Sequence, residues 1–424
     1  MKITKEKIDK LISTLSFRFP YSSEDFIEHL YLENYHCHKD FSNASVPDCA
    51  ESIENYADKI KEYGAKCLFS GEHGNQGNQF HVYKCAENNK LKYRHSSEAY
   101  WVKDRHDSDR SNCHICLVAK NEQGRKDLNF ALSIANIDGY YYQPRLDLEL
   151  ILNIPKENMI VTSACIAGWK YDDAEDIWLK IANHFGNNFF LELQNHNTEP
   201  QKRLNKRILQ FAKKHNLQII CGLDSHYVKD GNDVKRDQIQ KYKGIHYDDE
   251  DGWYMDYPDT KEVIRRFEEQ GVLTEDEILI SIMNTNVFVN ECEDILFNRS
   301  FKIPSLYKDK TYEEKVKIYK CELNKAYKKE KLRSKDKADG IRWEAAQVIE
   351  SGTVDYFLTS KGIIDKAVNE YGGILTTTSR GSAASFVTNK LLGLTTVDRF
   401  NAEIPIYPER FLTKERVLAG QMPD

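Results

Sequence analysis

The sequence predicts an α/β protein whose larger part is a closed barrel. Three observations carry this. Short apolar runs alternate with helix-like segments between residues 31 and 226, the pattern of strands joined by crossover helices in a parallel sheet. Seven such runs occur, at 32–35, 67–69, 92–94, 115–119, 159–163, 189–193 and 218–221, enough to close a barrel. Most of them lead into His, Asp, Glu or Cys, and in α/β barrels the functional residues collect at the C-terminal ends of the strands.

Composition sets the outer bounds. A chain of 424 residues is long enough for two or three domains. Hydrophobic residues make up 40% and charged residues 30%, which suits a packed core and excludes a disordered chain. No apolar run approaches the length of a membrane span. Residues 1–18 are Lys-rich but lack an apolar block followed by small residues, so no secretory signal is expected. The net charge of −6 excludes a uniformly basic nucleic-acid coat and permits a local basic groove. The ten cysteines are scattered and contain a single C-x-x-C, Cys113 to Cys116. On a strand those two thiols face opposite sides. The pattern points to a reducing cytoplasm rather than to a disulfide framework or zinc ribbon.

Residues 1–30 read as a polar helical extension. The run at 32–35 then leads to His36 and His38. On a strand, residues i and i+2 point to one face, and two neutral imidazoles side by side can grip one divalent ion. A pair this short is more often two unrelated histidines, so residues further along the chain decide its meaning. Residues 47–61 have an acidic start, a basic end and Gly64 as a stop, which predicts a helix. The run at 67–69 leads to Glu72 and His73, and the one at 92–94 to Glu98. His114 opens the run at 115–119. The run at 159–163 leads to Cys165. The run at 189–193 carries Glu192 and precedes His196, and the run at 218–221 leads to Asp224 and His226. Segments 174–185 and 201–215 carry apolar residues at helical spacing.

After His226 the alternation stops. Residues 248–251 form an acidic run, read as a solvated loop. Helices are expected at 260–270 and 275–294, and 302–304 reads as a linker. The expected organisation is an extension at 1–30, a barrel with helical connector at 31–300 and a second domain at 301–424. Residues 312–337 form a Lys-rich helical stretch. A solvated helix face and contact with a nucleic-acid backbone both remain open for it.

The set His36, His38, Glu72, His73, Glu98, His114, Cys165, Asp224 and His226 combines five imidazoles, three carboxylates and one thiol. That donor set suits a multinuclear centre for Zn²⁺ or Mn²⁺. Each residue also has a plain structural reading, and the shared placement at strand ends favours metal. Such a centre acidifies water and suits a phosphoester substrate.

These residues lie in motifs that resemble a known family. His36-Cys37-His38, Gly71-Glu72-His73-Gly74-Asn75, Ser97-Glu98-Ala99-Tyr100, His114 with Lys120-Asn121-Glu122, Phe190-Leu191-Glu192-Leu193-Gln194 and Asp224-Ser225-His226-Tyr227 resemble the polymerase-and-histidinol-phosphatase (PHP) domain. More specifically, they resemble the version that opens the alpha subunit of C-family bacterial replicative polymerases, the polymerase III type. The resemblance implies a distorted (β/α)7 barrel with the nine residues as ligands of up to three metals. It also implies 3′–5′ exonuclease activity, with Asp224, His226 and His73 as catalytic residues. The family usually has Thr-Asp-His-Gly where this chain has Gly71-Glu72-His73-Gly74. Glutamate keeps the carboxylate and reaches one methylene further.

A second resemblance covers the C-terminal third. Val354-Asp355-Tyr356-Phe357-Leu358, Ser379-Arg380-Gly381-Ser382-Ala383-Ala384-Ser385-Phe386, Leu391-Leu392-Gly393-Leu394 and Pro408-Glu409-Arg410-Phe411-Leu412 resemble the first part of the same family's palm. This implies a partial beta-type nucleotidyltransferase fold. A strand is expected to feed the small-residue turn at 379–382 and open a helix, with Arg380, Gly381 and Ser382 on the nucleotide's phosphates. In the family, Met422-Pro423-Asp424 continues into the Asp-x-Asp pair that holds Mg²⁺ for nucleotide addition. This sequence stops before that pair. The resemblance therefore implies half of a split polymerase completed by a second chain, the product of an interrupted gene, or a truncated remnant. It also implies primed DNA, dNTPs and a sliding clamp or other replisome subunits as partners. A free-standing PHP phosphoesterase and a non-catalytic, metal-stabilised platform are the other readings of the same residues.

Overall fold

The computed structural model describes residues 3–44, 48–228, 231–245, 252–300, 302–331, 333–379, 381–404 and 406–422. The chain divides into two units, Met1–Phe297 and Asn298–Asp424.

Among the described residues of the first unit are ten strands: β1 (Cys67–Phe69), β2 (Glu72–His73), β3 (Lys92–Arg94), β4 (Ser96–Trp101), β5 (Cys113–Ala119), β6 (Tyr140–Tyr141), β7 (Gln143–Leu146), β8 (Met159–Thr162), β9 (Phe189–Leu193) and β10 (Gln218–Cys221). The main sheet runs β10-β9-β8-β5-β4-β7-β6, with β2 on β4, and β1 pairs separately with β3. The fold is α/β, as the alternation of runs predicts. β8 and β9 are buried along their whole length, because helices cover one face and barrel side chains the other. Helix Ala174–Phe185 shows how the cover is built. It buries Ala174, Ile177, Trp178, Ile181, Ala182 and Phe185, which is one helical face. Each large apolar side chain there contributes roughly 1.5–3 kcal/mol.

Two expectations are corrected. The sheet is not all parallel: β5 runs antiparallel to both β4 and β8. Parallel neighbours need a crossover of a dozen or more residues, usually a helix, and 102–112 contains no helix. The chain therefore turns back after β4. The run at 32–35 is not a strand either; this region pairs only through a bridge between Cys37 and Ser225. Side chains take over the ladder's role. The Glu33 carboxylate accepts from the N–H groups of Lys66 (2.9 Å) and Cys67 (3.0 Å), and the Glu33 N–H donates to Thr285 Oγ1 at 3.1 Å. Thr285 lies on helix Glu275–Asn290, buried over most of its length. On that helix Asn284 donates to the Ile219 carbonyl of β10 (2.8 Å) and Asn286 to the Tyr31 carbonyl (2.7 Å).

Residues 1–30 are amphipathic. Ile8, Leu11 and Phe26, from helices Lys5–Ile12 and Ser23–His29, join the first unit's core.

The second unit packs helices Tyr312–Lys329, Lys335–Glu350, Val354–Tyr371, Val387–Leu391 and Lys414–Leu418 around Tyr319, Leu323, Val348, Phe357, Phe386 and Phe411. The single Lys-rich helix expected at 312–337 is two helices, because the first ends at Lys329 and Ser334 caps the next. The strand expected before Gly381 is absent among the described residues. A lone strand leaves its backbone groups unpaired, and no second strand is described in this unit to receive them. Among the described residues no helix is long and apolar enough to cross a membrane.

Candidate metal centre

The structure brings eight of the nine candidates together. His36 and His38 flank the Cys37–Ser225 bridge beyond the end of β10. His73 ends β2, Glu98 lies on β4, and Asp224 and His226 follow β10. His114 stands near the start of β5, and the reversal of β5 sets it opposite Tyr100 near the C-terminal end of β4. Running backwards thus delivers an N-terminal residue to the same mouth as its neighbours' C-terminal ends. Cys165 follows β8.

Glu98 is the centre of the cluster. Its Oε1 lies 3.0 Å from His36 Nε2, 2.8 Å from His114 Nδ1 and 3.6 Å from Cys165 Sγ. Its Oε2 lies 2.8 Å from His73 Nδ1 and 3.3 Å from His38 Nε2. Asp224 Oδ1 lies 3.2 Å from His36 Nε2 and 3.1 Å from His38 Nε2. Cys165 Sγ is 3.3 Å from His114 Nδ1. The His38 and His73 rings stack with centroids 3.9 Å apart. The cluster is buried except at a rim where the side chains of His114, His73 and Asp224 are 17%, 10% and 10% exposed.

Burial alone would push the Glu98 carboxyl up, but His114, His36 and His73 hold it well below the ordinary range. Asp224 is held down in the same way, by His36 and His38 against the cost of burial. Burial, with repulsion from His73 and His226, lowers His38 to about 4. Burial, with Glu98 and Asp224 beside it, pushes the Cys165 thiol well above its usual value.

The donor set fits divalent cations. His36 Nε2, His38 Nε2, His73 Nδ1, Glu98 Oε2, Asp224 Oδ1 and His226 Nε2 are all buried without a hydrogen-bond partner. They lie close to one another, yet not in hydrogen-bond geometry. A buried polar atom left so is costly. A cation placed among them satisfies all at once. Sets with donor atoms within 4.8 Å of one another include His36, His38, Glu98 and Asp224; His38, His73 and His226; and His73, Glu98 and His114. They share His38, His73 and Glu98, which suits more than one ion.

Glu72 stands apart. Its carboxylate accepts from the Lys39 N–H (3.1 Å), from Ser42 Oγ and from Asn78 Nδ2, and lies 3.7 Å from the Lys39 ammonium. It faces away from the imidazoles, and Lys39, fully buried, neutralises it.

Two further residues touch the cluster: Asp48, which the sequence reading missed, and Glu192, which it named within a strand but left out of the ligand set. Asp48 Oδ2 lies 3.3 Å from His226 Nε2, while its Oδ1 takes Arg236 Nη2 at 2.6 Å. Against the effect of burial, His226 and Arg236 hold Asp48 far below the usual carboxylate range. It sits in an irregular stretch, where no periodicity marks it. Glu192 lies 2.7 Å from His36 Nδ1 and accepts from Tyr35, Thr162 and Gln194. Its signal was available: a charged residue inside the fully buried strand Phe189–Leu193.

In the second unit, Gly381 has φ +80° and ψ −164°, a backbone conformation open to glycine. Ser382 starts a 3-10 turn, Ser382–Ser385, where an α-helix was expected. Arg380 and the acidic run at 248–251 lie outside the described residues.

Residues 34–196 match the PHP domain, and residues 310–424 match the bacterial DNA polymerase III alpha NTPase domain. The DNA polymerase III subunit alpha of Borreliella burgdorferi is 29% identical over 411 residues, covering 92% of this chain and 34% of that protein. The Aquifex aeolicus subunit is 27% identical, over 95% of this chain and 36% of that protein. Over these two segments the chain is similar to bacterial DNA polymerase III alpha subunits. It spans about a third of the length of these polymerase III alpha relatives.

Proposed function

We propose that the first unit is a metal-dependent phosphodiesterase acting on the 3′ end of DNA. We further propose that the second unit supplies part of the nucleotide site of a DNA polymerase. The observation that supports the first half is the convergence of six buried, unpartnered donor atoms, Glu98 Oε2 among them. Bound Zn²⁺ or Mn²⁺ would supply charge neutralisation toward the phosphate and acidify water. Glu98, reaching imidazoles through both oxygens, and Asp224 hold the cluster's negative charge at its centre. His114, His73 and Asp224 form the exposed rim, so the strand end is expected to enter there. Asp224, His226 and His73 are the residues proposed to touch the reacting atoms.

In the second unit, Gly381 and Ser382 are proposed, with Arg380, to hold the outer phosphates of a dNTP. Primed DNA is the shared substrate, and a sliding clamp or other replisome subunit is a proposed partner.

The test uses the purified full-length chain, Mn²⁺ and a 5′-labelled primer on a template. Stepwise shortening from the 3′ end is expected. Asp224→Ala and His36→Ala are each expected to slow it more than about 100-fold, beyond the usual cost of losing an outer-shell partner. Undiminished shortening by both variants rejects this centre. For the nucleotide half, Arg380→Ala and Ser382→Ala are each expected to weaken dNTP binding by the chain, read by equilibrium titration, and undiminished binding in both variants rejects that half.

A further inference from the structure

The diverted carboxylate of Glu72 has a consequence for His38. Ser42 Oγ stands between them: it donates to Glu72 Oε2, lies 3.1 Å from His38 Nδ1, and accepts from the His73 N–H at 3.2 Å. A serine hydroxyl has one proton and two lone pairs. Its proton goes to the carboxylate. Its lone pairs take the His73 N–H and the His38 ring. His38 Nδ1 must then be the donor, and in a neutral imidazole the other nitrogen, Nε2, carries the lone pair. That is the nitrogen facing Glu98 and Asp224.

The reverse arrangement, with Ser42 donating to His38, needs a proton on Glu72 Oε2. The Lys39 N–H already points at that oxygen from 3.1 Å, and on Oε1 lie Asn78 Nδ2 and, at 3.7 Å, the Lys39 ammonium. The carboxylate's three neighbours other than Ser42 are all donors, so it is held as an acceptor toward Ser42 as well.

We propose that Glu72 is a positioning residue rather than a metal ligand: through Ser42 it fixes His38 as the Nδ1–H tautomer and keeps Nε2 free for metal. This rests on the metal reading of the cluster, and its test separates the two. Lys39 is part of the device. Its ammonium stands beside Glu72 Oε1 and 3.4 Å from Cys37 Sγ, so a buried cation faces the carboxylate.

The substitution Glu72→Gln is diagnostic. Asn78 Nδ2 and the Lys39 ammonium, against the single Lys39 backbone N–H on the other side, would hold the new amide oxygen in the Oε1 place, which turns the NH₂ toward Ser42. Ser42 would then donate to His38 Nδ1, and the ring proton would move to Nε2, where it blocks metal. Glu72→Asp keeps an acceptor. The experiment has two readouts on the full chain. Histidine ¹⁵N NMR of the metal-free protein reads the His38 tautomer, and calorimetric titration with Mn²⁺ reads affinity.

The expected results are the Nδ1–H form in the unsubstituted protein and, for Glu72→Gln, the Nε2–H form. Mn²⁺ binding by Glu72→Gln is expected to weaken about 10- to 100-fold, the range for outer-shell partners, and Glu72→Asp is expected to stay near the unsubstituted value. If Glu72→Gln does not fold, Ser42→Ala, which removes only a hydroxyl, is expected to weaken Mn²⁺ about tenfold. An Nε2–H tautomer in the unsubstituted chain overturns the proposal. So does undiminished Mn²⁺ affinity in folded Glu72→Gln, or in Ser42→Ala where that variant replaces it. A chain that binds no Mn²⁺ rejects the metal reading, and the tautomer still decides the relay on its own.

Discussion

The candidate metal cluster of the first unit and the interior of the second treat buried charge in different ways. All thirteen histidines and nine of the ten cysteines fall within Met1–Phe297. There the central carboxylates and imidazoles are buried with donor atoms that no protein group satisfies. In Asn298–Asp424 the buried charges are paired within the protein. Lys337 lies 2.6 Å from both Glu330 and Asp398. Glu344 accepts from the N–H groups of Val387 and Thr388 and from Arg399. Satisfied buried charges hold a shape, whereas unsatisfied ones that converge hold something else. The contrast separates a structural use of burial from a ligand-binding one.

The largest expected effect that sharpens this contrast is on the first unit's core. Phe288 is fully buried and meets Tyr35, Phe69 and Phe190. Phe288→Ala is expected to cost about 3–5 kcal/mol, read as lost hydrogen-exchange protection in β8 and β9. Unchanged protection there would show that this side chain does not hold the barrel.

A smaller effect comes from acid. His95 is buried between the Tyr93 hydroxyl (2.7 Å) and Asn129 (3.0 Å), and burial lowers it from 6.5 to about 3. Its folded-state value is depressed, so its stabilising contribution is present above the unfolded value and is lost as pH falls. By pH 5 this loss reaches about 2 kcal/mol. His95→Gln is expected to lose about that much less than the unsubstituted chain between pH 7 and pH 5, measured by denaturant unfolding. Equal losses would show that His95 does not set the acid sensitivity. The second unit has no histidine and no such term.

The smallest effect is a helix cap in the second unit. Thr311 and Glu314 form a capping box on helix Tyr312–Lys329. Thr311→Ala is expected to cost about 1 kcal/mol, seen as faster amide exchange in that helix's first turn. A cost near zero would mean the helix is held by packing alone.

Helices with a clear apolar face were legible in the sequence. Ala174–Phe185 and Thr260–Gln270 form over the expected residues, because their spacing, caps and burial agree. The gathering of His36, His38, His73, Glu98, His114, Cys165, Asp224 and His226 followed from strand-end placement. Direction did not follow, since a short apolar run reads alike both ways and only the missing helix at 102–112 marked the reversal. Glu72 misled for a related reason. Sequence places a carboxylate beside a ligand histidine, but which way it turns depends on Lys39, Ser42 and Asn78, partners set by the fold. Asp48 carried no local signal at all.

The reversed strand β5 also gives the barrel mouth room to change. The connection at 102–112 joins the C-terminal end of β4 to the start of β5, so it opens on the same side as His114. Loop closure entropy grows slowly, by about 0.6 kcal/mol for each doubling of length. Insertions at this one turn can therefore remodel what reaches the rim while the strands beneath keep their register.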